Sequence, residues 1–268
     1  MKRTVIYLLI GFQAAALAGA ETAQERGKRV VQEALQALGG EAFLRMEDRV
    51  ESGRAYSFFR QELAGLSIAK FYTRYLVAPD PPVPGPIQLR ERQAFGKDQS
   101  NAVIFTGEGA WEITFRGARP IEDQRYANYK DSTQRNIFYI LRQRLKEPGI
   151  EFYSQGSDLW EHRPVEKVEI SDASNTMVTV YFDSLSKLPV RQIFRRRNPQ
   201  YKDFDTEVTV FAKYRDVGGG VKWPFDVRRD RNGEKIFEMY ADSVEINKNL
   251  TDDLFTLPAN LKLLPKAK

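Results

Sequence analysis

The sequence predicts a mainly β protein of the α+β class, built on an antiparallel sheet with two helices, and three observations support this prediction. Most of the chain consists of short segments in which β-branched and aromatic residues alternate with polar ones. Short turns join these segments, and Asn232-Gly233 is the clearest hairpin signal among them; hairpins at this spacing form an antiparallel meander. Only two stretches have the periodicity of an amphipathic helix.

The clearest strands lie in the second half of the chain, where apolar residues recur at every second position. An earlier strand, GAWEITF at 109–115, places Trp111, Ile113 and Phe115 on one face. A sheet that is apolar on one side needs a cover, so the helices are expected to pack against it. The four later segments are VTVYFD (178–183), EVTVFAKYRDV (207–217), PFDVRRD (224–230) and KIFEMYADSVEI (235–246).

The two predicted helices have recognisable ends. The first begins after Thr22, which has the capping-box spacing with Glu25, and it ends at Gly39-Gly40. The second is predicted to begin at Asp131 as the capping residue and to end at Pro148-Gly149. Its apolar stripe, which predicts packing against the sheet, consists of Thr133, Ile137, Phe138, Leu141 and Leu145.

The N-terminus has the features of a secretory signal peptide over residues 1–20. The positive MKR is followed by an apolar run that ends in the small residues Ala18-Gly19-Ala20, which predicts cleavage before Glu21. The alternative is a membrane anchor, but Gln13 interrupts the run, which is short against the ~20 apolar residues of a membrane span. We therefore expect residues 21–268 to form a single domain, exported to the periplasm.

The composition argues against most kinds of catalytic and metal-binding site. The chain has no cysteine and one histidine, His162, which excludes a thiol nucleophile, a thiolate metal site and a histidine-rich zinc site. No G-x-S-x-G motif accompanies the histidine, and FTGEGAW (105–111) lacks the lysine and the helix of a phosphate-binding loop. We expect His162 to lie exposed near a strand end. The sequence favours a non-enzyme without cofactor, metal or nucleic-acid partner.

Four segments, taken in order, resemble the LolA/LolB-like family of periplasmic lipoprotein carriers and related lipid-binding proteins, known as outer membrane lipoprotein-sorting proteins. The resemblance extends from about residue 25 to residue 258. The segments are ALQALGGEAFLRMEDRVESGRAY (34–56), IFTGEGAWEI (104–113), VTVYFDSLSKLPVRQIF (178–194) and AKYRDVGGGVKWPFDVRRDRNGEKIFEMYADSVEINKNLTDDLFTLP (212–258).

The resemblance implies a half-open barrel made by one curved sheet, covered by an N-terminal helix and a central lid helix. Periodicity alone leaves two alternatives for the interior, a solid core and an apolar cavity. The implied function is a monomeric periplasmic carrier or binding protein for lipoprotein acyl chains or lipids, which contributes to outer-membrane sorting with an inner- or outer-membrane transfer partner. The alternative is a non-catalytic envelope sensor or scaffold that binds a protein partner.

The expected cavity residues are large apolar side chains, each of which ordinary core packing also explains. In the family, an arginine on an early strand holds the lid, and Arg74 and Arg90 are candidates here. The C-terminal segment INKNLTDDLFTLP (246–258) is expected to seal the barrel end, with Phe255 as a plug. The cavity candidates are Trp111, Ile113, Phe115, Val180, Phe182, Phe194 and Phe211 on strands, with Phe138 and Leu141 on the lid helix.

Overall fold

The computed structural model describes residues 20–80, 82–83 and 85–266. The predicted signal peptide, except for Ala20, lies outside the described residues. The helices are α1 (Ala23–Ala37), α2 (Glu41–Leu44), α3 (Asp123–Gln134) and α4 (Ile137–Tyr139), and a π-helical turn at Ile140–Arg144 continues α4. The strands are β1 (Asp48–Phe59), β2 (Glu62–Tyr75), β3 (Leu89–Phe95), β4 (Asn101–Phe105), β5 (Ala110–Thr114), β6 (Gly117–Pro120), β7 (Glu151–Trp160), β8 (Arg163–Ser171), β9 (Met177–Asp183), β10 (Pro189–Arg197), β11 (Phe204–Asp216), β12 (Lys222–Arg231) and β13 (Glu234–Ile246).

All thirteen strands form one antiparallel sheet in the order β6-β5-β4-β3-β2-β1-β13-β12-β11-β10-β9-β8-β7. All sequence neighbours pair except β6 and β7, and β1 pairs with β13 at the centre, where Glu51 lies opposite Val244. The sheet is curved and does not close, because β6 and β7 remain at its two edges. The predicted class, a single antiparallel sheet forming a half-open barrel, is confirmed.

Alternation along the central strands gives the sheet two different faces. On β1, Arg49 and Glu51 lie on the concave face and border a cavity, whereas Val50 lies on the outer face. On β11, Glu207 and Phe211 share the concave face. The concave face therefore carries both charged and aromatic residues, which a simple apolar-inside pattern does not anticipate.

The main core lies where α1, α2 and the π-helical turn pack on the concave face of β7–β12. Helix α1 begins with the predicted capping box: the Thr22 amide donates to Glu25 at 2.8 Å, and the Glu25 amide donates to the Thr22 hydroxyl at 3.2 Å. Gly27 brings the helix against the edge strand β7, since a Cβ there would lie 2.4 Å from the Phe152 carbonyl oxygen. The buried α1 residues are Gly27, Val30, Val31, Ala34 and Leu35.

The predicted start of the second helix is wrong, because the chain forms two helices with a break between them. Asp131 lies inside α3, which begins at Asp123. Helix α4 is capped by Asn136, whose side chain accepts from the amides of Phe138 and Tyr139 at 3.0 and 3.4 Å. Asn136 has extended backbone geometry, so its side chain begins a new helix.

The C-terminal segment lies on the outer face of β1–β4, so the prediction that Phe255 plugs the barrel end is wrong. Phe255 is 2% exposed and packs in the cluster of Val50, Tyr72 and Ile104. These residues alternate along their strands with the residues that face the cavity, so they form a second apolar face, which the C-terminal segment covers. Further along, the Ala118 amide donates to the Lys262 carbonyl at 2.9 Å, which places the tail against the edge strand β6.

Candidate functional site

A cavity of about 430 Å³ lies on the concave face of the sheet, below α3 and beside α4. Its volume is within the range of small-molecule sites in proteins, roughly 300–1,000 Å³. Its walls come from β1–β4 and β10–β13, so both halves of the chain contribute to it. The side chains around it divide into an aromatic wall and a charged wall.

The aromatic wall is organised around Phe138. The Asn136 cap starts α4 so that Phe138 is buried against Phe211, with ring centroids 5.0 Å apart in an edge-to-face arrangement. The ring of Trp223 is 4.6 Å from Phe138 on another side. Such aromatic contacts add to the free energy of area burial and hold the wall in one arrangement. The remaining apolar lining includes Phe194, Val227, Phe237 and Met239.

Arg49 belongs to the charged wall, and its guanidinium donates hydrogen bonds to three neighbouring side chains. Its guanidinium donates to Glu51 at 2.7 Å, to the Tyr75 hydroxyl at 2.7 Å and to the Thr73 hydroxyl at 3.1 Å. It also lies 3.9 Å from the centroid of the Trp223 ring. Arg49 therefore joins the charged wall to the aromatic wall, and its charge is neutralised by Glu51.

Two further glutamates border the cavity, and only one of them, Glu207, forms ion pairs in the described ranges. Glu207 accepts from Arg231 at 2.8 Å and lies 3.7 Å from Arg196. Glu91 accepts a hydrogen bond from Gln93 but forms no ion pair within the described residues. Burial raises the pKa of Glu91, an effect that the Gln93 hydrogen bond only partly offsets. Glu91 therefore binds a proton more readily than a glutamate in water does.

Helix α3 covers the cavity and packs outside the main core. None of its residues is fully buried, in contrast to α1. Tyr129 stacks on Phe105 with ring centroids 3.7 Å apart. Arg196 of β10 donates to the Asp131 carboxylate at 2.9 Å and to the Ser132 hydroxyl at 2.5 Å. The Tyr126 hydroxyl also donates to the Thr106 carbonyl at 2.6 Å, and the Gln134 side chain donates to the Gly85 carbonyl at 2.7 Å. Because no α3 residue belongs to the main core, the helix can detach without disruption of that core.

Three of the predicted cavity residues, Phe138, Phe194 and Phe211, line the cavity. Three others, Leu141, Val180 and Phe182, lie in the main core under α1, each 1% exposed or less. The remaining three, Trp111, Ile113 and Phe115, do not border the cavity.

Trp111 and Ile113 belong to the outer cluster covered by the C-terminal tail, because their phase on β5 matches that of Ile104 on β4. Phe115 is 85% exposed in the β5–β6 turn, where no element packs over it. The candidate lid arginines also lie on the outer face. Arg74 and Arg90 donate to Asp252 of the tail at 2.6 and 2.5 Å. His162 is exposed in the β7–β8 turn, as predicted.

Sequence reasoning missed the charged wall, which includes Arg49, Glu51, Glu91, Glu207 and Arg229. A signal for it was present in β11, where Glu207, Thr209 and Phe211 occupy one phase of the strand. Arg49 and Glu51 likewise share a phase of β1, which is the spacing of a same-face ion pair on a strand.

The fold, one curved and unclosed antiparallel sheet, is LolA-like. No family model and no curated protein matches this chain. Among solved structures, a domain assigned to outer membrane lipoprotein sorting, from Vibrio parahaemolyticus, superposes with a TM-score of 0.57 at 12% identity, covering 87% of this chain and 97% of that one.

Two other solved structures have the same fold. A DUF1329 family protein from Desulfovibrio piger has a TM-score of 0.58 at 12% identity, with 86% of this chain and 97% of that chain covered. A LolA superfamily protein from Nitrosomonas europaea has a TM-score of 0.51 at 8% identity, with the same coverage. At these identities the likeness establishes the fold alone.

Proposed function

We propose that this chain binds a lipid or an acyl chain in its concave cavity and acts as a carrier or binding protein. The observation that carries the proposal is the cavity of about 430 Å³, one wall of which is formed by Phe138, Phe211 and Trp223. The LolA-like fold supports it, because one structure of this fold is assigned to lipoprotein sorting. The only histidine of the sequence is exposed in a turn away from the cavity, which favours binding without catalysis.

The aromatic wall can supply useful affinity without a reactive group. Burial of about ten methylene groups contributes roughly 8 kcal/mol at ~0.8 kcal/mol each, before the cost of immobilising the ligand. Without that cost, 8 kcal/mol corresponds to a Kd of about 1 μM, and a cost of ~4 kcal/mol weakens it toward the millimolar range, which suits a carrier that must release its ligand. In this proposal, α3 is a lid that Arg196 holds closed through Asp131 and Ser132.

The proposed setting is the periplasm, reached by export with removal of residues 1–20. There the protein would act as a monomer that passes lipids or acyl chains of lipoproteins to or from a membrane partner, as part of outer-membrane lipoprotein sorting. In the part of the chain that the structure describes, no helix is long and apolar enough to span a membrane.

Native mass spectrometry tests the proposal on residues 21–268 purified from a bacterial periplasm without detergent. We expect an adduct of lipid mass, or uptake of added dodecanoate. In Val227→Trp, the enlarged side chain fills the cavity and uptake should fall at least tenfold. Val208→Trp is the matched control, since Val208 lies on the outer face of the neighbouring strand β11. A bare protein that takes up neither dodecanoate nor phospholipid would contradict the proposal.

The alternative is a non-catalytic scaffold that binds a protein partner on the same fold. Its support is a strip of exposed apolar residues on hairpin β1–β2, where Phe59 is 67%, Leu66 59% and Ile68 47% exposed. This function would be preferred if the protein takes up no lipid, yet Leu66→Asp and Ile68→Asp abolish its co-purification with an envelope protein.

A further inference from the structure

The cavity that we propose as the lipid site has more arginines than glutamates in its lining, five against three. Two of the arginines, Arg125 and Arg196, have acidic partners behind the lining, Glu112 and Asp131. The surface that faces the cavity nevertheless presents more cationic than anionic side chains. An uncharged acyl chain would not require this, because burying unpaired charge beside hydrocarbon costs free energy. The arginines are Arg49, Arg125, Arg196, Arg229 and Arg231, and the glutamates are Glu51, Glu91 and Glu207.

Arg229 differs from the other four arginines of the lining in its lack of a carboxylate partner in the described part of the chain. Arg49 pairs with Glu51, Arg231 and Arg196 approach Glu207, and Arg125 lies at the rim near Glu112. Within the described residues, the Arg229 guanidinium has no carboxylate within 4.0 Å and makes no hydrogen bond.

Arg229 stands at the centre of the concave face. On β12 it lies between its cross-strand neighbours Thr209 and Phe237, and its guanidinium lies 4.5 Å from the centroid of the Phe237 ring. The side chain is accessible because it opens into the cavity, although protein surrounds it. The surrounding protein atoms desolvate the guanidinium and so lower the pKa of Arg229, and the negative charges of Glu91 and Glu207 partly offset this lowering. A guanidinium nevertheless remains charged at physiological pH.

A second hydrogen-bond donor borders the same cavity from the lid. The Tyr129 hydroxyl is buried and has no hydrogen-bond partner among the described residues. The stack on Phe105 fixes the ring, so the position of the hydroxyl is set by packing. Burial raises the pKa of Tyr129 well above its usual value, so the group keeps its proton. It is therefore a donor on the lid side of the cavity that has no acceptor among the described residues.

We propose that the ligand is an anionic amphiphile whose carboxylate or phosphate headgroup lies inside the cavity, bound by Arg229 and by the Tyr129 hydroxyl. The inference rests on the proposed function and adds the chemical class of the ligand. The planar guanidinium matches two oxygens of either headgroup. The alkyl chain lies along Phe138 and Phe211, since Val227, the cross-strand partner of Phe211, is about 7 Å along β12 from Arg229.

Competition against a neutral fluorescent probe, N-phenyl-1-naphthylamine, tests this assignment on residues 21–268. Dodecanoate, dodecyl phosphate and methyl dodecanoate have the same chain and differ in headgroup charge. We expect both anions to displace the probe at concentrations at least tenfold below that of the methyl ester, because one charge-assisted hydrogen-bond pair is gained. Arg229→Gln should remove this preference while the probe still binds.

Arg215→Gln is the matched control. Arg215 lies on the adjacent strand β11, packs on the Phe225 ring at 4.5 Å and makes no ion pair within the described residues, but it does not border the cavity. It should keep the full preference for the anions. Tyr129→Phe, which removes only the hydroxyl oxygen, should lower the preference several-fold. This variant keeps the proposal testable if Arg229→Gln does not fold, as judged by circular dichroism.

The outcomes separate this inference from the proposed function. If the probe binds and native protein prefers neither anion over the ester, the headgroup assignment is overturned and lipid binding stands. If neither probe nor amphiphile binds, the proposed function itself is wrong. If inorganic phosphate binds as tightly as dodecyl phosphate, the site takes a free anion and the amphiphile assignment is overturned.

Discussion

Replacement of Arg196 by methionine should loosen α3 while the rest of the fold remains intact. The change removes the hydrogen bonds to Asp131 and Ser132 but keeps most of the apolar stem. A hydrogen bond to a charged group contributes about 1.5–3 kcal/mol, and partial exposure lowers this. The Asp131 side chain is 30% exposed and Arg135 also contacts it, so we expect a loss of about 2 kcal/mol for both bonds together.

Hydrogen exchange measured by mass spectrometry detects this loss of stability separately in each helix. A loss of about 2 kcal/mol in the opening free energy corresponds to a roughly 30-fold faster exchange of the amides of α3. Amides of α1 should keep their protection, because α1 has its own buried face in the main core. The fluorescent probe should enter the cavity faster in this variant.

Arg195→Met is the control for this experiment. Arg195 is the adjacent residue on β10, is exposed on the opposite face and makes no ion pair within the described residues. It should leave the exchange of α3 unchanged. Arg196 does not hold the lid if both variants exchange like the native protein, or if Arg196→Met accelerates exchange equally in α1 and α3.

Two further predictions concern a buried carboxyl and the tail. Burial raises the pKa of Glu91 above 4.5, so its ionisation in the folded protein costs stability as pH rises through the raised pKa. Glu91→Gln should therefore melt at a higher temperature than the native protein at pH 7 and equally below pH 4.5; a lower melting temperature at pH 7 would contradict this. The Asp48 carboxylate accepts from the amides of Lys248 and Leu250 at 2.6 and 3.0 Å, so Asp48→Ala should lose about 2–4 kcal/mol in urea denaturation. Asp48→Asn, which keeps one acceptor, should lose less, and equal small losses in both would refute the role of this anchor.

Elements that depend on nearby residues were predictable from the sequence. The capping box of α1 needs only Thr22 and Glu25, and both its hydrogen bonds are present. The tight hairpin at Asn232-Gly233 is equally local, and it connects β12 to β13. Asp131 has the chemistry of a helix cap, but it contacts Arg196, which lies 65 residues away. A distant partner thus decided the role of that residue, and the predicted helix start was wrong.

The faces of the strands were harder to predict than the strands themselves. Trp111 and Ile113 have the pattern of an inner face, yet the tail after Ile246 covers them on the outer face. The sequence carries no local mark for that cover. The charged wall was missed because charges on a strand are usually assigned to solvent. The shared phase of Arg49 and Glu51 was the available sign that a concave face held its own ion pair.

The two edge strands of the sheet, β6 and β7, are partly covered, which bears on whether copies of this protein can associate through them. An unclosed sheet normally offers rows of free amides and carbonyls on which another molecule can add a strand. Here the approach of α1 at Gly27 obstructs the backbone of β7, and the tail bonds to Ala118 of β6. Addition of a strand is therefore hindered at one position on each edge strand, and both positions remain covered when the barrel mouth opens.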